Sequence, residues 1–145
     1  HPPVHWLGLL SSGGLLTASL FWFNRVIKRL RRDIATHLQP HLWGISGLGF
    51  THLVILVGVW QSSNLAPQDT AHDAVITVML LYQILHSALA VIMTVLQALR
   101  MGRNYVGIHA PYEPNVVQRW WVYTTGTFWL IYAVVILLPN MWNLA

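Results

Sequence analysis

The sequence predicts an all-α integral membrane bundle of four transmembrane helices, with the N-terminus and the C-terminus both outside (N-out/C-out). Three observations lead there. Four stretches free of Asp, Glu, Lys and Arg cover residues 6–23, 42–60, 74–99 and 120–138, and about 20 residues of helix cross a hydrocarbon core. The basic residues Arg25, Lys28, Arg29, Arg31, Arg32, Arg100, Arg103 and Arg119 all lie in the first and third connections or at their edges. The second connection, residues 61–73, carries Asp69 and Asp73 and no basic residue. Cationic loops resist translocation, so the basic side is expected inside. Third, Trp6, Trp22, Trp43, Trp60, Trp120, Trp121 and Trp142 fall at or just beyond span ends, where indole favours the headgroup boundary, and Trp129 alone sits well inside one.

Composition agrees. The chain is 55% hydrophobic and 8% charged, against about 25% charged in ordinary soluble domains. Lipid cannot satisfy backbone polar groups, so each span should be a helix. Residues 1–145 form one domain, without low-complexity segments or a clear repeat. There is no cysteine, which excludes disulfides and thiolate metal sites.

The first span leads into Arg25-Val-Ile-Lys28-Arg29-Leu-Arg31-Arg32, expected to continue as a basic helical extension and to break near Pro40. Such a run can suit nucleic acid. Directly after a span it reads as a stop-transfer segment whose Arg25, Lys28, Arg29, Arg31 and Arg32 contact phospholipid headgroups, and no nucleic-acid partner is expected. The second span follows, then a turn rich in breakers around residues 64–69. The third span, 26 residues, should tilt or outrun the core. Gly102, Gly107, Pro111 and Pro114 predict an irregular third connection before the fourth span. Small side chains let helices approach closely, so Ser11, Ser12, Gly13, Gly44, Gly47 and Gly49 are candidate packing positions.

No span contains a carboxylate, which argues against a self-sufficient pump or ion-coupled carrier. His52 and His86 lie mid-span on neighbouring antiparallel helices, at similar depth. Two readings stay open for them. Each is neutral and hydrogen-bonded inside the bundle, or the pair holds a b-type haem axially and the chain is an electron-transfer anchor. Tyr82 and Gln83 precede His86 by four and three residues, so an internal polar network of Tyr82, Gln83 and His86 is expected. His1, His5, Asp69, His72 and Asp73 share the outer side, and His37 and His41 the inner one, but neither set has the spacing of a tight metal site. No metal site and no catalytic residue is expected in this chain.

The third span carries a family resemblance. Asp69-Thr-Ala-His72, continuing through Tyr82-Gln83-Ile-Leu85-His86, resembles the penultimate helix of subunit III of haem-copper terminal oxidases. That helix reads Asp, then Tyr-Gly-Ser, then Phe-His-Gly-Leu-His. Asp69, Leu85 and His86 match by identity, Tyr82 and Gln83 by type. Leu9-Leu10-Ser11-Ser12-Gly13 is similar to the Leu-Leu-Ser-Ser-Gly of the family's fourth helix, and Arg100, Trp120-Trp121 and Trp129-Leu130 are similar in spacing to its final loop and helix. The resemblance spans essentially the whole chain and corresponds to the last four of the usual seven helices, as in shortened or fused subunit I/III forms. The family's His and Asp of the last helix fall where Tyr123 and Gly126 stand, and its Glu-Tyr ending is missing after Trp60-Gln61. The resemblance implies a non-catalytic subunit, in a bacterial plasma membrane or mitochondrial inner membrane, that stabilises the catalytic subunit I (and II) of a cytochrome c or quinol oxidase and binds lipid. It implies no cofactor in this chain, with haem and copper in partner subunits.

Overall fold

A computed structural model describes residues 5–30, 35–105 and 112–137. Four helices follow one another: α1 (Trp6–Leu30), α2 (Gln39–Ser62), α3 (Ala71–Gly102) and α4 (Tyr112–Tyr132). A 3₁₀ turn, Ala35–Leu38, leads into α2, and α4 runs on through a π-helical turn, Ala133–Leu137. No strand occurs among the described residues. α1, α2 and α3 are long and apolar enough to cross a membrane; α4 is not among the helices that meet that measure. Its first turns carry Glu113, Asn115, Gln118 and Arg119, and the apolar residues 133–137 lie beyond its regular part.

The helices outrun the charge-free stretches because their ends are well stopped. Thr70 caps α3, its hydroxyl accepting the Asp73 N–H at 3.1 Å, and the buried Asp73 carboxylate accepts the Ala66 N–H at 3.4 Å. The turn before α3 is thereby tied to its first residues. α3 stops at Gly102, and two residues on Asn104 takes a left-handed φ of 58°. The Asn104 N–H then reaches Met101 O at 3.1 Å and the Tyr105 N–H reaches Arg100 O at 3.0 Å, satisfying carbonyls the helix leaves open. Asn64, with φ 44°, turns the chain in the same way just beyond α2. Pro40 opens α2 rather than breaking a helix, since the first turn needs no bond from its missing N–H. Likewise Pro114 sits in the first turn of α4, so residues 112–119 are helix where an irregular connection was expected.

Contacts give the topology. α1 meets α2 and α4, and α3 meets α2 and α4, closing a ring. Gly8 lies against Val59 and Gly44 against Trp22, so α1 and α2 are antiparallel. His52 meets Ser87, and Gly49 meets Val91. Gln83 meets Thr124, and Arg100 meets Glu113. Gly13 meets Trp129, and Asn24 meets Gln118. Every neighbouring pair is therefore antiparallel.

The outer face of α3 is apolar, the inverse of a water-soluble helix, while its inner face mixes polar side chains with Ile76, Leu80, Ala90, Ala98 and Met101. Val75, Val78, Leu81, Leu85, Ile92, Leu96 and Leu99 are exposed. Thr77, Gln83, Ser87, Thr94 and Gln97 are buried. At 1.5 Å per residue the exposed apolar stripe from Val75 to Leu99 is about 36 Å long, close to a hydrocarbon core of about 30 Å.

Candidate functional site

The centre of the ring holds one connected polar network. His52 of α2 is fully buried. Its Nδ1 lies 3.0 Å from Ser12 O and 2.7 Å from Ser12 Oγ on α1, and its Nε2 lies 3.0 Å from Ser87 Oγ on α3. A carbonyl only accepts, so Nδ1 carries the hydrogen and donates to Ser12 O. Nε2 then accepts the Ser87 hydroxyl. The Gln83 amide donates to Ser87 Oγ at 3.2 Å and to Thr124 O of α4 at 3.1 Å. Thr127 Oγ1 lies 3.3 Å from Gln83 Oε1 and 3.0 Å from the Tyr123 and Thr124 carbonyls, which share its one hydrogen. The edge of Phe128 closes on the imidazole at 5.5 Å between centroids. All four helices contribute, and the bonds run in one direction, from Gln83 through Ser87 and His52 to Ser12. Such a network satisfies a neutral ring in a site where an imidazolium would be expensive.

Tyr82 and His86 belong elsewhere. Adjacent helical residues point about 100° apart, which splits the expected trio into two rows. Gln83 and Ser87 face inward. Tyr82 and His86 form the next row, on the outer seam between α3 and α4, with ring centroids 3.9 Å apart. There the His86 ring stacks on Trp120, 5.5 Å between centroids and 7° between planes. His86 Nδ1 donates to Tyr82 O at 2.8 Å, Trp120 Nε1 donates to His86 O at 3.1 Å, and the Tyr82 and Tyr123 hydroxyls bond to each other. Tyr82 and Tyr123 are exposed, and His86 is half-buried. His52 and His86 do lie at similar depth, since His52 touches the residue after His86. They do not face a common space, and both His52 nitrogens are engaged. Holding one haem between them would require breaking the Ser87 bond and turning His86 around α3. Among the described residues no group of three or more His, Asp or Glu could hold a metal ion.

The packing candidates separate cleanly. Gly13, Gly44 and Gly49 receive aromatic rings: Phe128 and Trp129, Trp22, and Trp121 respectively. Ser12 is in the central network. Ser11 is exposed and bonds only to Gly8 O of its own helix, and Gly47 has nothing within 4 Å of where a Cβ would stand. Arg25, Lys28 and Arg29 are exposed at the end of α1, and Arg31 and Arg32 lie outside the described residues. Trp120 and Trp121 are not at a helix end. α4 begins at Tyr112, which carries both rings inward to the level of His86 and Thr94. Ser87, Thr94, Thr124 and Thr127 escape a search for ionisable groups. For Ser87 and Thr94 the signal is the polar row Gln83, Ser87, Thr94, Gln97 at helical spacing within an apolar run.

These glycines make a controlled prediction. A Cβ on Gly49 would stand 2.8 Å from both Trp121 and Val91, and Trp121 is anchored by its bond to Thr94. Gly49→Ala is expected to cost about 2 kcal/mol by overpacking. Gly47→Ala, on open surface, should stay within about 0.5 kcal/mol of the parent. Unfolding midpoints in mixed micelles compare them; equal midpoints would contradict the α2–α4 contact.

No family model, no curated protein and no solved structure matches this chain.

Proposed function

We propose that the chain is an integral membrane protein crossing four times, N-out/C-out, and that it is a non-catalytic, subunit III-like component of a haem-copper terminal oxidase. It packs against the catalytic subunit I (and II), steadies that assembly and holds lipid, while haem and copper chemistry belongs to the partners. The observation that carries this reading is the ordered resemblance. Leu9–Gly13 falls on α1, Asp69–His86 leads into and along α3, and Trp120, Trp121 and Trp129 fall on α4. The apolar outer face of α3 supports membrane insertion. Confinement of the basic residues to two connections supports the orientation.

Support for a role inside a larger assembly comes from the α3–α4 seam. On the outer face at mid-span, His86 Nε2 has no partner among the described residues, and the Tyr82 and Tyr123 hydroxyls have only each other. In hydrocarbon each unmet polar group is costly. The outer face of α4 also presents Arg119, Tyr123 and Gly126, a poor surface for lipid and a good one for another helix.

One preparation tests the proposal. The chain has no cysteine, so a cysteine at Gln68 reports the second connection alone; in intact cells an impermeant maleimide should label it. Purification of the tagged chain in mild detergent should then bring down a haem-containing polypeptide at fixed stoichiometry, and the chain freed of that partner should show no haem band. Purification without a haem protein, or a haem band of the isolated chain lost on His86→Ala, would reject the reading.

A further inference from the structure

We infer that the inner end of the α3–α4 seam is a binding site for one anionic phospholipid. Two grooves converge on Arg100. One, of about 390 Å³, is lined by Leu96, Leu99, Arg100, Arg103 and Tyr105. The other, of about 400 Å³, runs between the helices along Met93, Leu96, Gln97, Val116 and Val117, with Arg100 and Glu113 at its mouth. Leu96 and Arg100 belong to both, so the grooves lie on either side of one ridge.

Each part of the site matches a part of the ligand. The apolar stripe of α3 ends at Leu99, and the cations begin at once with Arg100 and Arg103. That is the level at which acyl chains give way to headgroups. Arg100 is half committed, bonding Glu113 at 2.8 Å, while Arg103 has no ion pair among the described residues. The sum over Arg100, Arg103 and Glu113 is one positive charge, complementary to one phosphodiester. The Gln97 amide is buried, and its Nε2 has no hydrogen-bond partner. It is the only such buried side-chain nitrogen among the described residues. A rotation of the terminal amide turns that N–H to the groove, where a glycerol ester carbonyl accepts it. The groove along Met93, Leu96, Val116 and Val117 takes acyl chain, and the groove of Leu99, Arg100, Arg103 and Tyr105 takes the headgroup. A site built only to neutralise a helix C-terminus would need neither the paired grooves nor the unmet amide.

This inference rests on membrane insertion but not on the orientation or the identity of the partner. It places the lipid away from the α1 basic run. The experiment uses the full chain, with whatever co-purifies, in mild detergent. Dimyristoyl phosphatidylglycerol is added, and bound lipid is counted by native mass spectrometry; dimyristoyl phosphatidylcholine and inorganic phosphate are the comparison probes. One phosphatidylglycerol per chain should be retained, and Arg103→Gln and Gln97→Leu should each weaken retention about tenfold. Arg103 is exposed, so its variant should fold, and Gln68→Ala, in the second connection at the other end of the bundle, should leave retention unchanged. Equal retention of phosphatidylcholine, protection by phosphate alone, or loss with Gln68→Ala rather than Arg103→Gln would each overturn the site. Recovery of the chain without detergent would instead overturn membrane insertion itself.

Discussion

Trp121→Ala is expected to destabilise the bundle by about 4 kcal/mol, within the range for removing a fully buried aromatic. Trp121 projects from α4, has no exposed surface, and reaches across to Gly49 on α2. Its Nε1 donates to Thr94 Oγ1 on α3 at 2.8 Å. One side chain thus joins three helices. Truncation removes that contact surface and opens a void that Gly49, having no side chain, cannot fill. Trp121→Phe keeps most of the volume and loses the N–H donor. It should cost about 1 kcal/mol, the net value of one buried hydrogen bond. The measurement is the unfolding midpoint in dodecyl maltoside–SDS mixed micelles, read by far-UV circular dichroism. A Trp121→Ala protein within about 1 kcal/mol of the parent would mean that the ring faces outward.

The second large effect belongs to the central network. His52→Ala is expected to cost about 3 kcal/mol, combining lost packing against Phe128 with unmet hydrogen-bonding groups on Ser12 and Ser87. A double-mutant cycle with Ser87→Ala isolates the shared bond. Its coupling energy should lie near 0.6 kcal/mol and below about 1.7 kcal/mol, the span found for interhelical bonds in bilayers. Strict additivity would place Ser87 outside the network. His86→Ala, on the outer seam, should leave the stability of the isolated chain nearly unchanged, which separates the two histidines by their energetics.

Much of the architecture was legible in the chain. Residues 6–23, 42–60 and 74–99 each fall inside a helix, as expected of apolar runs long enough to cross a hydrocarbon core, where only a helix satisfies its own backbone. Boundaries were less legible. α3 runs beyond the third charge-free stretch to Gly102, just before the left-handed Asn104, and Pro114 opens α4 well before the fourth begins. Caps and left-handed turns, not hydropathy, set those ends.

The polar site was half legible. Spacing put Tyr82, Gln83 and His86 within one turn, but one turn has two sides. Gln83 went inward to Ser87 and Thr124, and His86 went outward to Trp120. Local sequence sets the angle between such rows; it does not say which row meets a neighbouring helix.

Charge-free length by itself therefore located the three long apolar helices, and a fourth stretch that falls short of that measure. Such length is a property of a segment and its solvent. Only the tertiary structure decided that His52 joins Ser12 and Ser87, that Trp121 seats on Gly49, and that Gln97 keeps an unmet amide beside two grooves. The physical reason is rotation: turning one helix about its axis by a single residue spacing leaves its hydropathy unchanged and exchanges every partner it has.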